Sequence, residues 1–375
     1  MPYITVMQSP RFHQITLDEI LSGEVQVSDI APRSVTGTVT HFSERLNDRL
    51  TRLAQVDELV AVLETFIQKN ESLYEQKRSK LYNTFYIAKR SGGLRKINAP
   101  LEELMSALRE LKEILETKFS ALYHTSAFAY VKCRSTVDAV KKHQTNNSRW
   151  FLKTDFSDFF GSTTPEFLMK MLSQIYPFSE VVKLERGRVV LSKALDLCFL
   201  DGGLPQGTPI SPMLTNLMMI PIDHRIANEL RRNNFVYTRY ADDIIISHKF
   251  DFSFTEKCDF INQVLAEFEA PFKIKPSKTR YGSSSGKNWN LGVMLNKDNK
   301  ITIGYQKKKT FKAMCYGYIT SKQNNQPWDR HDLEVFNGLI SYYKMVERDY
   351  IAYTIDHYNQ KYGVNMMAMI REDLR

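Results

Sequence analysis

The stretch that most restricts how this 375-residue chain can fold is Phe235-Val-Tyr-Thr-Arg-Tyr240-Ala-Asp242-Asp243-Ile-Ile-Ile-Ser247. β-Branched and aromatic residues on both sides favour strand, whereas two adjacent acids do not, so the reading is a hairpin with Asp242 and Asp243 near its turn. Like charges placed side by side repel. Such a pair is best accommodated beside a divalent cation, and hard oxygen donors suit Mg²⁺. The plainer alternative is an acidic turn without a duty, since Asp is a common turn residue. The rest of the chain bears on which of the two holds.

A formal charge of +9 favours an anionic partner, nucleic acid first and a membrane surface second. Cys133, Cys198, Cys258 and Cys315 lie far apart, without CxxC or Cys/His ligand spacing. They suggest neither a disulfide framework nor a zinc site, and a reducing cytoplasm is the expected compartment. The opening Met-Pro-Tyr-Ile-Thr-Val-Met-Gln lacks the basic start and apolar centre of a signal peptide, and no apolar run reaches membrane-spanning length. The expectation is a soluble protein with no membrane partner.

Residues 1 to about 40 show no period and are punctuated by Pro10, Pro32 and Gly37, which reads as an irregular leader. A helical pattern follows from about His41 to Lys80, with Leu59, Val62, Leu63, Phe66 and Ile67 on one face. Two β-prone segments between Tyr82 and Pro100 flank Gly92-Gly93, and Lys89, Arg90, Arg95 and Lys96 crowd that turn. A cationic hairpin suits a triphosphate or a nucleic-acid backbone, because guanidinium grips phosphate in a fork; the alternative is a solvated charged hairpin. A helix carrying Leu101, Leu104, Leu108, Leu111 and Leu115 and ending before Tyr123 comes next. Ala127 to Ser135 interleaves Tyr130, Lys132 and Arg134, a pattern for stacking on bases and pairing with phosphates, or else a buried strand with snorkelling cations.

Trp150-Phe-Leu-Lys-Thr-Asp155 is an apolar strand that delivers a third carboxylate, followed by the aromatic turn Phe159-Phe160-Gly161. Two cations roughly 3.5–4 Å apart need shared acidic ligands, and Asp155 supplies one. Asp158 competes for that role, although helix capping is its favoured use. Three glycines and three prolines between Asp201 and Pro212 make a tight loop able to approach a ligand through its backbone, with Thr208 or Ser211 capping the helix that follows. That helix is interrupted or bent at Pro221 and reaches Leu230. An amphipathic helix around Phe260–Phe268, a basic segment to Arg280, a hairpin about Asn296–Lys300 and a helical C-terminal region complete the chain. Lys307 to Lys309 read as a solvated face.

Taken in order, these stretches resemble the reverse transcriptase domain over about residues 80 to 305. Tyr240-Ala-Asp242-Asp243 is similar to its YxDD box, Asp155 with Phe160 to its first acidic motif, and Leu204-Pro205-Gln206-Gly207 to its nucleotide loop. The hairpin bearing Arg95, the Lys278 segment and Leu291-Gly292 resemble the fingers, the fourth palm motif and the primer grip. The resemblance implies an α+β right-hand polymerase: an N-terminal extension at 1–80, irregular then helical; fingers at 81–149; a palm at 150–305 that lends 165–200 to the fingers; and a helical thumb at 306–375.

It further implies an RNA-directed DNA polymerase that uses dNTPs. Asp155, Asp242 and Asp243 would hold two Mg²⁺ ions, with Mn²⁺ as the substitute. Arg95, helped by Lys89 or Lys96, would pair with the triphosphate, Phe160 would crowd the sugar 2′ position, Gln206 would contact the nucleotide, and Lys278 would protonate the pyrophosphate. Leu291 and Gly292 would hold the primer, and Tyr130, Lys132 and Arg134 would contact primer or template.

Too little chain follows the thumb for a ribonuclease H or endonuclease, which points to the small bacterial enzymes: retron, abortive-infection and defence-associated groups. Two departures from retrons favour a defence-associated group outside them. A Val-Thr-Gly tripeptide is missing after the palm, and Asp138-Ala139-Val-Lys-Lys-His143 distorts the Asn-Ala-x-x-His element. The partners this implies are a structured noncoding RNA template, a DNA product and either a partner protein or a second copy of the chain. One of the 19 tyrosines serving as primer is a further expectation, with no single tyrosine marked out for it.

Overall fold

The computed structural model describes residues 55–88, 92–119, 123–284 and 292–375, together with the backbone of two paired strands near the N-terminus. Those strands, β1 (Ile4–Gln8) and β2 (Arg11–Ile15), run antiparallel with Ile4 opposite Ile15, a hairpin where the sequence suggested irregular chain. The rest of the leader, the start of the helical pattern at His41, and Lys89, Arg90 and Leu291 lie outside the described residues.

Residues 55–69 form helix α1, which buries Leu59, Leu63 and Phe66 and leaves Val62 and Ile67 half-buried. A short helix α2 (Glu71–Glu75) leads to the hairpin of β3 (Tyr82–Ala88) and β4 (Leu94–Pro100), with Ala88 opposite Leu94. Gly92 and Gly93 both take positive φ in this turn, at 85° and 80°, which glycine adopts without steric cost. Helix α3 (Glu102–Phe119) follows with Leu104, Leu108, Leu111 and Leu115 fully buried. The segment from Ala127 to Ser135 is turns rather than a strand, with Tyr130 and Cys133 left-handed at φ 59° and 60°.

Helix α4 (Thr136–Thr145) opens with a capping box: the Ser135 hydroxyl accepts from the Asp138 N–H while the Asp138 carboxylate accepts from the Ser135 N–H. The central sheet then forms from β5 (Trp150–Asp155), β6 (Val236–Tyr240), β7 (Asp243–His248) and β8 (Arg280–Ser283) in the antiparallel order β6-β7-β5-β8. Between β5 and β6 the chain makes α5 (Pro165–Leu172), a single turn α6 (Phe178–Val181), α7 (Glu185–Asp196), α8 (Ser211–Met218) and α9 (Ile220–Arg232). Thr164, not Asp158, caps α5 by accepting the Phe167 N–H; Asp158 sits in a left-handed turn at φ 47°, so its expected capping role is not realised. The break at Met219 puts Pro221 in the first turn of α9, where its missing N–H costs nothing. Helix α10 (Phe254–Glu267) precedes β8, and the small pair β9 (Met294–Leu295) and β10 (Ile301–Thr302) precedes the C-terminal helices α11 (Tyr305–Gln323), α12 (Arg330–Val346), α13 (Arg348–Tyr362) and α14 (Met366–Asp373).

Two apolar clusters hold this together. One joins α1, α3, the helices between β5 and β6, and one sheet face through Leu152, Ile244 and Ile246. The other joins α11–α14 to Val293, Leu295 and Ile303, to α4 through Val137 and Val140, and to the opposite sheet face through Phe151 and Ile245. Strand alternation explains the split, since consecutive residues of β5 and β7 face opposite sides.

His143 anchors α4 to the sheet. It is buried, and its ring nitrogens meet Ser247 Oγ at 2.6 Å and Thr238 Oγ1 at 2.8 Å. Burial, with Lys142 nearby, pushes its pKa down to about 3. A histidine depressed in the fold contributes stability that is fully present above its unfolded value near 6.5 and is lost as pH falls toward the folded value. At pH 5.5 the loss is about 1.2 kcal/mol relative to pH 7. Urea titrations of the wild type from pH 7.5 to 5.5 should show this slope, and His143→Gln should not; equal slopes would contradict the assignment.

Candidate active site

Strand pairing sets the site. β5 and β7 put Asp155 directly opposite Asp243, and β6 pairs Tyr240 with Asp243, leaving Ala241-Asp242 as a two-residue turn. Ala241 takes φ 58°, the left-handed region that hairpin turns normally fill with glycine, at a cost of roughly 1–2 kcal/mol for an L-residue. The N–H of Phe156 donates to the carbonyl of Asp242 at 3.2 Å, so the backbones bearing Asp155 and Asp242 are bonded together.

The segment after α10 completes the cluster. Phe156 bridges Ile274, Ser157 N–H donates to Lys273 O at 2.8 Å, and Lys275 N–H donates to Asp155 O at 2.8 Å. This antiparallel run carries Lys278 to Asp155, where its ammonium donates to Oδ2. Asp155 is only 2% exposed, and its Oδ1 is buried without a hydrogen-bond partner. Burial first, then the charges of Asp243 and Asp155, push the Asp242 carboxyl above its ordinary range, against the pull of its own backbone N–H and of Lys278. Asp243 forms an ion pair with Lys153 at 2.9 Å. Lys153 and Asp155, two apart on β5, share one face with Asp243.

These donors fit a divalent cation: an unpartnered buried carboxylate oxygen beside a second carboxylate that its neighbours repel. Among the described residues, no His, Cys, Asp or Glu set of three converges into a ready metal cage.

The other predicted residues divide into those brought near and those held elsewhere. Leu204 N–H donates to Phe160 O at 3.0 Å and Asn98 N–H to Gln206 O at 2.8 Å, so the loop ties the Phe160 turn to the base of β4, the strand of Arg95 and Lys96. A Cβ at Gly203 would lie 2.0 Å from Gly161 O, and one at Gly207 2.8 Å from Asn98 O, so both glycines are needed for these contacts. Neither Thr208 nor Ser211 is the N-cap of α8, which is Ile210; Thr208 accepts from the Ser211 N–H at 3.2 Å, while the Ser211 hydroxyl donates to Pro205 O. Arg95 is exposed, and Lys96 lies 3.7 Å from Asp201. Tyr130 is exposed; partial desolvation first and then the charge of Asp242 raise its pKa, while Arg95 lowers it. Arg134 turns inward, its Nη1 donating to His124 O and Ala127 O at 2.6 and 2.7 Å, and braces its own loop. Lys132 is exposed. Gly292 lies apart, its carbonyl accepting from Lys307 at 2.7 Å at the start of α11. The Lys307–Lys309 run is thus only partly a solvated face, because Lys308 also pairs with Glu347 at 2.5 Å.

The sequence reading passed over Lys153, Asp223 and Arg239. Strand alternation from Asp155 could have found Lys153. Asp223 and Arg239 carry no local signal, because a helix and a strand bring them together.

A four-stranded antiparallel sheet with acids at one hairpin tip and at the end of the adjoining strand is the palm of a right-hand polymerase. The family model for reverse transcriptase (RNA-dependent DNA polymerase) matches residues 87–317, more than half of the chain. The chain belongs to the reverse transcriptase family and is an RNA-directed DNA polymerase. The retron Ec83 reverse transcriptase of Escherichia coli is 26% identical over 336 residues, covering 83% of this chain and 97% of that protein. The retron Ec73 enzyme of the same organism is 29% identical over 272 residues, covering 70% and 82%. A telomerase from Candida albicans aligns at TM-score 0.47 and 12% identity over 62% of this chain and 50% of that one, too loosely to carry argument.

The retron likeness runs against the expectation of a group outside the retrons. Within the distorted element, Asp138 serves the capping box of α4 and His143 reaches the sheet. Among the described residues no helix is long and apolar enough to cross a membrane.

Proposed function

We propose that this chain is a retron-type enzyme that copies a dedicated structured noncoding RNA into DNA in the cytoplasm, in defence against phage. The observation that supports it most is similarity over nearly the whole length of a retron reverse transcriptase, joined to strand pairing that brings Asp155, Asp242 and Asp243 together at one hairpin. An RNA-binding scaffold without catalysis is disfavoured, because a scaffold gains nothing from carboxylates that repel one another.

In this reading Asp155 and Asp242 hold two divalent cations, Mg²⁺ or Mn²⁺ in its place. Bound there, the cations supply Lewis acidity toward the primer 3′-hydroxyl and the triphosphate. Asp243, paired with Lys153, adds negative charge from one step away. Lys278 carries the proton for the departing pyrophosphate; its bond to Asp155 raises its pKa and keeps it charged at neutral pH. Arg95 grips phosphate with its fork, Lys96 assisting and Lys89 adjoining it in sequence. Phe160 crowds the sugar 2′ position, Gln206 contacts the nucleotide, Tyr130 and Lys132 face template or primer, and Leu291-Gly292 holds the primer. Fingers, palm and thumb follow the boundaries above, except that the packing of Val293, Leu295 and Ile303 against α11–α14 supports starting the thumb near residue 293.

The deciding experiment is purification of the protein from its host with its nucleic acids, followed by sequencing of both. One discrete noncoding RNA with DNA complementary to part of it is the expected result. An assortment of messenger RNAs would overturn the dedicated template, and loss of phage protection without loss of that RNA in a catalytic variant would tie defence to synthesis.

A further inference from the structure

We infer that Arg239, fixed by Asp223, is the positioning residue of the catalytic turn: its guanidinium holds the Ala241 carbonyl and thereby sets the backbone from which Asp242 projects. Arg239 and Asp223 are both fully buried. Nε of Arg239 donates to Asp223 Oδ1 at 2.9 Å, Nη2 donates to Oδ2 at 2.8 Å, and Nη1 donates to Ala241 O at 3.0 Å. Tyr237 OH donates to Asp223 Oδ1 at 2.6 Å, so the carboxylate is itself held in place. The backbone of Arg239 is held as well, its N–H donating to Ser126 O at 2.7 Å and its carbonyl accepting from Phe128 N–H at 2.9 Å.

The need for such a clamp lies in Ala241. A non-glycine residue at φ 58° relaxes toward negative φ unless its surroundings resist, and relaxation there would rotate the next peptide, which is that of Asp242. The turn is gripped at two successive carbonyls, Ala241 O by Arg239 and Asp242 O by Phe156 N–H. A buried ion pair is by itself a weak source of stability, and apolar residues of similar volume often replace one without loss. What apolar residues cannot supply is a directed donor for the turn. Lysine cannot supply it either while it keeps Asp223, because one ammonium lacks the planar fork that reaches both.

The test is therefore Arg239→Lys, which keeps the charge opposite Asp223 and gives up the bond to Ala241. On a primed RNA template we expect kcat to fall about 10- to 100-fold, the scale of a displacement of about 1 Å at a reacting centre, with the KM for dNTP and the Kd for primer–template within about twofold of wild type. Adding Ala241→Gly to Arg239→Lys should restore kcat at least about threefold, because glycine holds positive φ without a clamp. Asp223→Asn, with and without Ala241→Gly, repeats the comparison, and thermal melting identifies any variant whose loss is simply unfolding. Wild-type kcat in Arg239→Lys, or no recovery on adding Ala241→Gly in either background, would overturn the assignment.

Discussion

Asp242→Asn should lower single-turnover extension of a primed RNA template by about 10³-fold or more, the loss of several kcal/mol of charge stabilisation at the reacting phosphate. The same variant should melt no lower than the wild type. Asp242 is a half-buried carboxylate whose pKa is raised first by burial and then by Asp243 and Asp155, so neutralising it relieves desolvation and repulsion in the fold. Opposite signs on activity and stability separate a catalytic acid from a structural one. Asp243→Asn should cost less activity, because Asp243 is balanced by Lys153 and its amide still accepts from that ammonium. An Asp242→Asn enzyme within tenfold of wild type would remove Asp242 from the reaction.

Lys278→Gln should slow the same single-turnover step by about 10²-fold, the lower range of positioned acid–base catalysis, and weaken dNTP binding far less. Lys278 is about half exposed, but the Asp155 it pairs with is nearly buried, so its loss should also lower the melting temperature, because a buried carboxylate is left without its counter-charge. The sign of the pH effect follows from the same bond. Asp155 raises the Lys278 pKa above the ordinary lysine value, so the ammonium persists through neutral and mildly alkaline pH and its proton is lost only beyond that range. In the metal-free protein a titration of Lys278 should accordingly show no loss of its proton below about pH 10, the ordinary lysine range. A Lys278→Gln enzyme that keeps half the wild-type rate would show that water, not Lys278, protonates the leaving group.

Much of the site was readable because its elements are local. The Asp242-Asp243 hairpin, the strand ending in Asp155 and the Gly-Gly hairpin all rest on β-branched runs broken by residues that strands reject. Where reading failed, competition between neighbours decided the outcome. Asp158 and Thr164 both suit a helix cap, and Thr164 took it because Pro165 fixes the first turn one residue later. Arg134 looked like a phosphate ligand, yet in a loop of left-handed residues the free carbonyls of His124 and Ala127 claimed it.

From the residues alone came the acids, their order along the chain and the hairpin that carries two of them, since short-range preference and alternation determine those. Tertiary structure alone decided what each acid touches: Lys278 on Asp155, Lys153 on Asp243, and Arg239 with Asp223 beneath Ala241. Such pairings join residues 16 to 123 positions apart, and no local pattern encodes them. Their partners are chosen by which charges burial brings within reach, because a charge removed from water must find its counter-charge inside the fold.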